Sequence, residues 1–399
     1  MKCVLHIGTE KTGTTLLQNW LYANRDQLSK EGIYLSDILG KTNNRVAAAY
    51  FSSVYDDFYR QNKIYTPQDK EAFFADFVPK FEADVNAASS DHDTFLITSE
   101  HFHSRVIEHS DILRLRDFLM ANFTEVKIIS YFRPQFDTIV SLYSTGLKSE
   151  VSSTLEDFIT LRAKSDDYYV NYLKIADNWS EAFGLQCCDF RIYDRKMFNG
   201  GDIRRDFLKA LNPALPDSNF DFAIDSANES LSLYQAIAYR KINATLPYWK
   251  EDGSGVNGKN KTLKKEILAL ETLKDGKITS NRRFAVEEIF KDSNELFFKK
   301  YFNCENLFIT KDQAASTQSD APASDKLAII DELIGYAIHG DTVLPKGEAV
   351  DRLRNIALRA YNNQRLNKAD ALFLMKLAQS GRPHGKLINE KVKEWEAER

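Results

Sequence analysis

Residues 2–15, KCVLHIGTEKTGTT, join an apolar run to a polar loop, Gly8-Thr-Glu-Lys-Thr-Gly-Thr-Thr15. Lys2 to Gly8 reads as a buried first strand, with Val4, Leu5 and Ile7 carrying its apolar content. Thr14 to Asn24 reads as a helix whose Leu17, Trp20 and Leu21 recur on one face. A loop between a strand and a helix aims successive backbone N–H groups at one spot, and the helix N-terminus adds partial positive charge. Gly13 lets the backbone approach an anion closely, while Thr14 and Thr15 set hydroxyls beside the amides. Lys11 brings a mobile point charge. The expectation is a site for a phosphate-like anion.

Further along, TFLITSE (Thr94 to Glu100), Glu125 to Arg133 and Cys187 to Tyr193 read as core strands. Helical patterns alternate with them at about Phe136 to Leu147, Asn171 to Phe183 before Gly184, and Asp202 to Leu211. Three more follow at Glu229 to Asn243, Thr262 to Lys274 and Arg282 to Phe302. Short apolar strands alternating with helices imply an α/β fold: a P-loop-like parallel sheet flanked by helices, with an all-helical C-terminal region. Gln313 to Asp325, QAASTQSDAPASD, is small, polar and proline-containing, so it reads as a linker. The expected organisation is an α/β domain over 1–312, a linker over 313–325 and a helical region over 326–399. In that last region Leu327, Ile330, Leu333 and Ala337 form one stripe, and Leu372, Met375 and Ala378 another.

Composition narrows the class. The 399 residues are 43% hydrophobic and 28% charged, an ordinary globular balance. With 53 Lys plus Arg against 57 Asp plus Glu, the net charge of −4 argues against nucleic acid as a partner. No apolar run is long enough to span a membrane, and MKCVLHIG shows no signal segment, so the expected location is cytoplasmic. The four cysteines lack zinc-ligand spacing and read as free thiols.

Compared with the GxxxxGK[ST] loop of nucleotide triphosphatases, Gly8 and Gly13 have the right separation, but Thr14 stands where the lysine belongs. The lysine has moved forward to Lys11, which disfavours the usual β/γ-phosphate and magnesium arrangement. TEKTGTTLLQNWL instead resembles the phosphosulfate loop of sulfotransferases that use 3'-phosphoadenosine 5'-phosphosulfate (PAPS), usually P-K-[ST]-G-T-T, with Glu10 in place of the proline. That family also carries an arginine at a strand end and a serine eight residues later, both binding the 3'-phosphate. Arg133 and Ser141 stand at that spacing, followed by Tyr143. DFRIYDRKMF is similar to the family's strand ending near the adenine, which makes Tyr193 a candidate there. Asn228-Glu-Ser-Leu and SNELFFKKYF resemble bacterial carbohydrate-type members, so the likeness runs over roughly 1–310. The loop that closes over the cofactor in cytosolic members is missing. Lys259 to Lys265 and Arg282-Arg283 are candidates to replace it.

The resemblance implies transfer of a sulfuryl group from PAPS to a hydroxyl or amine, expected on a carbohydrate, leaving 3',5'-ADP (PAP). Lys11, Thr12, Gly13, Thr14, Thr15, Arg133, Ser141 and Tyr193 are the expected cofactor contacts, and Lys11 would also act on the leaving oxygen. For the base Glu100 comes first, His101 second and Glu10 third. His101 and His103, alternate residues expected on a strand, lack a third ligand, so no metal is expected. The aromatic cluster Tyr168, Tyr169, Tyr172 and Trp179 reads either as core or as a sugar platform. The helical C-terminal region is a candidate for capping the acceptor cleft, for oligomerisation or for binding a partner. Two other readings remain open: a magnesium-dependent P-loop kinase or nucleotide hydrolase with Glu100 on the metal, and a non-catalytic scaffold that keeps the phosphate loop.

Overall fold

The computed structural model describes residues 1–223, 230–250, 255–309, 324–339, 347–362 and 366–397. Five strands, β1 (Lys2–Gly8), β2 (Ile33–Leu35), β3 (Thr94–Thr98), β4 (Val126–Phe132) and β5 (Cys188–Ile192), form one parallel sheet in the order β2-β3-β1-β4-β5. The strand read first in the sequence is thus the central one, with β3 and β4 on its two sides. Strands covered on both faces need apolar residues at nearly every position, and β1 and β3 read that way.

Alternation divides those residues between two cores. Cys3, Leu5 and Ile7 of β1 join Phe95, Ile97, Ile128 and Phe132 on one face, against helices Phe77–Ala88, His109–Asn122, Tyr172–Phe183 and Lys291–Tyr301. Val4, Leu96, Ile129 and Tyr131 point the other way, onto Leu17, Trp20 and Leu21 of the loop helix Thr14–Ala23 and Phe207, Leu208 and Leu211 of helix Ile203–Leu211. Tyr172 and Trp179 are fully buried in the first core, so that part of the aromatic cluster is packing. The four cysteines are free thiols; Cys3 is buried and Cys304 exposed.

The second face is bolted by one carboxylate. Asp206, buried in helix Ile203–Leu211, accepts from Arg191 of β5 through both oxygens (2.7 and 2.9 Å) and from the Tyr131 hydroxyl of β4 at 2.8 Å. Arg191 beside it holds the carboxyl below its usual range despite the burial that pushes it up.

The chain divides into two compact units, 1–138 with 162–229 and 284–311, and 139–161 with 230–283 and 312–399. The first holds the sheet. The second is helical, and its C-terminal part consists of Ser324–His339, Glu348–Asn362, Lys368–Gly381 and Lys386–Ala397. Within this unit Lys264 Nζ donates to Ser149 O (2.6 Å) and Asn243 Nδ2 to Leu147 O (3.0 Å) and Val151 O (2.8 Å). These donors satisfy carbonyls left open where helix Gln135–Lys148 ends. Lys264 is thereby committed to structure, and Arg282 donates to Glu156 O and Thr160. Tyr361 packs on Trp395 at 4.7 Å, and Asp351 accepts from Arg382 (2.8 Å) and Arg354 (2.7 Å).

Several expectations need correction in detail. The third strand ends at Thr98, not Glu100, and His101–Arg105 is a helix, so His101 and His103 do not project together from a strand. Arg282 to Phe302 is two helices, Arg283–Ile289 and Lys291–Tyr301, broken at Phe290. Residues 313–323 of the expected linker, and Asn228 and Glu229, lie outside the described residues; Ser324 and Asp325 already belong to a helix.

Removing the buried carboxylate leaves Nε and Nη2 of Arg191 and the Tyr131 hydroxyl without their acceptor, with only Nη1 of Arg191 still bonded to Asp189. Asp206→Ala is therefore expected to lower unfolding free energy by about 2–3 kcal/mol, read from urea midpoints at unchanged m-value.

Candidate functional site

The loop after β1 is closed by its own threonines and by the neighbouring strand β4. The Thr9 N–H and hydroxyl both donate to Tyr131 O (3.1 and 3.0 Å), which pins the start of the loop to the end of β4. The Thr12 hydroxyl donates back to Thr9 O at 2.6 Å and closes the turn. Thr12, an expected cofactor contact, is buried and spends its side chain on this closure, so only its backbone faces the task foreseen for it. Lys11 has φ 68°, a left-handed conformation that costs a non-glycine residue about 1–2 kcal/mol and is found where a site demands it. Its carbonyl accepts from Arg133 Nη1 at 3.3 Å.

Gly13 caps helix Thr14–Ala23 at φ 74°, and the Leu17 N–H returns to Gly13 O at 3.0 Å. No side chain caps this helix, and its first turn holds no acid. The N–H groups of Thr14, Thr15 and Leu16, which precede the first helical hydrogen bond, keep the positive end of the helix dipole at the loop. Other helices of the same unit do carry such caps: Asn171 accepts from the Lys174 N–H and Asp202 from the Arg204 N–H. Glycine is required at 13 for a second reason. A Cβ there would stand 3.0 Å from Tyr193 Oη and 3.2 Å from Tyr193 Cε2.

Four strand ends meet at this loop. After β3, Glu100 lies against Gly8, whose added Cβ would come within 3.1 Å of Glu100 Cα. Glu100 accepts from Gln18 Nε2 at 2.6 Å, which ties it to the loop helix. His101 follows at the start of the short helix. Burial lowers its pKa while Glu100 opposes the shift, and its buried Nδ1 has no hydrogen-bond partner. After β4 comes Arg133, and after β5 comes Tyr193, with the guanidinium 5.8 Å from the ring centre. The first unit thus brings together Lys11, Gly13, Glu100, Arg133 and Tyr193, with His101 next to Glu100. Thr14 is buried and Thr15 exposed on the first turn. Ser141 lies on helix Gln135–Lys148 beyond Thr138 and belongs to the second unit.

Sequence reasoning missed Gln18, His103, Arg105 and the hydrogen-bonding role of Tyr169. Glu10 carried the usable signal, since a carboxylate inside so tight a loop requires donors. The Tyr169 hydroxyl donates to Glu10 Oε2 at 2.9 Å, and Arg105 Nη1 stands 3.8 Å from Glu10 Oε1. Arg105 continues to Asp56 (2.8 Å), which also pairs with Arg45 (3.0 Å). Burial pushes the Glu10 carboxyl up, but Ser104, His103, Arg105 and Tyr169 together hold it below its usual range. Among the described residues no group of three or more His, Cys, Asp or Glu side chains is placed to hold a metal ion, and no helix is long and apolar enough to cross a membrane.

No protein-family model matches the chain, and no solved structure does. It is similar to an uncharacterised protein of Archaeoglobus fulgidus, 32% identical over 219 residues, 55% of this chain. The chain matches 56% of that relative's length, about half.

Two buried histidines set an acid limit. Burial lowers His103 to about 4 and His6 to about 3, so both are neutral in the fold. The unfolded chain takes up these protons near pH 6.5, where the folded protein does not. The stability they confer is whole above pH 6.5 and drains as pH falls from there toward 4. Thermal midpoints at constant ionic strength are expected to fall over that window; a flat profile between pH 7 and 4.5 contradicts the buried neutral assignment.

Proposed function

We propose that this chain is a PAPS-dependent sulfotransferase with a P-loop-like sheet, transferring a sulfuryl group to a hydroxyl or amine of a carbohydrate acceptor. One observation carries the reading: an uncapped helix N-terminus, a left-handed lysine inside the loop and an arginine from the next strand end converge at the C-terminal edge of the central strand. That edge is where ligands of open parallel sheets bind. The donor set fits a ligand with two anionic groups, because amides and Lys11 address one and Arg133 the other. Tyr193, packed on Gly13 beside Arg133, offers an aromatic face for a base.

PAPS, when bound, supplies an activated sulfuryl group on its 5'-phosphate. The residues of the chain do the rest. The loop amides and Lys11 hold negative charge at the departing oxygen, as donors aimed where charge develops. Arg133 holds the 3'-phosphate and, through the Lys11 carbonyl, the loop itself. Glu100 accepts the acceptor's proton, and Gln18 orients its carboxylate. His101 is the second candidate base, favoured by its neutral ring and unpartnered Nδ1. Glu10 is a poor base, because four neighbours stabilise its charged form. Carbohydrate as acceptor rests on the resemblance in the sequence alone.

Calorimetry with PAP tests the reading, with 5'-AMP and MgATP as comparisons. PAP is expected to bind without metal and far more tightly than 5'-AMP. Arg133→Ala is expected to weaken PAP by about 2–3 kcal/mol, some 30- to 150-fold, and 5'-AMP much less, since there only the contact to the Lys11 carbonyl is lost. Binding of MgATP but not PAP would replace the sulfotransferase with a kinase or hydrolase. Glu100→Gln is expected to keep PAP binding and abolish transfer from radiolabelled PAPS; retained transfer moves the base to His101.

A further inference from the structure

Glu10 stands where the resembling family usually has proline, and its backbone does what proline cannot. The Glu10 N–H donates to His103 Nδ1 at 3.3 Å. With Nδ1 accepting, the neutral imidazole carries its proton on Nε2, which donates to Tyr169 O at 3.0 Å. The Tyr169 hydroxyl then returns to Glu10 Oε2 at 2.9 Å. Three residues from three separate segments so close a ring of hydrogen bonds. It contains one aromatic contact, His103 against Tyr169 at 4.7 Å, and His103 is fully buried.

We propose that the Glu10–His103–Tyr169 ring is the positioning device of the anion loop, supplying by hydrogen bonding the rigidity that proline gives covalently. Lys11 needs holding from both sides because its left-handed backbone is unfavourable by itself. Arg133 grips its carbonyl, and the ring fixes the residue immediately before it. Arg105 and Ser104 complete the carboxylate's partners, so the ring keeps its charged form. None of the three touches the anion; each acts through Lys11 and the amides that follow. The inference rests on the anion-binding reading for its ligand, though not for the ring itself.

Tyr169→Phe removes one hydroxyl and keeps the packing. It is expected to weaken PAP about tenfold and to speed amide hydrogen exchange over residues 9–13, with little change in thermal midpoint. Glu10→Gln still offers an oxygen to the Tyr169 hydroxyl and is expected to retain wild-type affinity. Glu10→Ala with Tyr169→Phe is expected to bind no worse than Glu10→Ala alone, since Glu10→Ala already removes the bond that Tyr169→Phe deletes. Wild-type affinity and exchange in Tyr169→Phe, or fully additive losses in the double variant, would overturn the proposal. If the wild type ignores PAP while Tyr169→Phe still loosens the loop, the ring stands and the ligand reading fails.

Discussion

The site depends on how the backbone leaves a strand buried on both faces and enters a helix within six residues. Every N–H and C=O of such a turn must find a partner or face the surface. Thr9 spends two donors on Tyr131 O, Thr12 closes onto Thr9 O, and Arg133 takes the Lys11 carbonyl. Those bonds take up the Thr9 and Lys11 carbonyls of the loop. The N–H groups at the helix start are left to point outward together, with no side chain capping them and no acid in the first turn. An excess of donors at the positive end of a helix is an electrostatic arrangement for an anion, whatever the anion proves to be.

The sheet determines what that loop can meet. Because β1 is central, the residues that follow β3 and β4 flank its C-terminal end, and those after β5 lie one strand further out. Glu100, Arg133 and Tyr193 are far apart in sequence, yet each is the first or second residue beyond its strand. Their convergence follows from parallel topology. The Asp206 clamp joins β4, β5 and helix Ile203–Leu211 beneath Tyr193, whose Oη and Ile203 Cδ1 both approach Gly13.

Much of this was legible in the sequence. Fully buried strands leave continuous apolar runs, so β1, β3 and β4 could be placed within a residue or two, and the partly buried edge strand β5 was placed as closely. Helix Thr14–Ala23 announced itself by Leu17, Trp20 and Leu21, all buried. β2 escaped because three residues carry no periodicity, and the helices over 45–73 because each is no longer than seven residues; Phe77–Ala88 was missed although Phe77, Phe81, Val85 and Ala88 recur on one face. The extension of β3 to Glu100 was an error of the same origin. TFLITSEHFH alternates acceptably as a strand, and only the turn of the backbone into helical geometry at Glu100 (φ −65°, ψ −14°) ends it. The role of Tyr169 was unreadable, since it depends on a partner 159 residues away.

The central claim is that the amides of the β1 loop and helix start receive an anion. Isotope-edited amide spectra of the deuterated protein, titrated with PAP, address it residue by residue. The account predicts large, saturable shifts at Gly13, Thr14 and Thr15, with the capped N-terminus of helix Tyr172–Phe183 unmoved. Binding that leaves those three amides unshifted, or no binding at all, would contradict it.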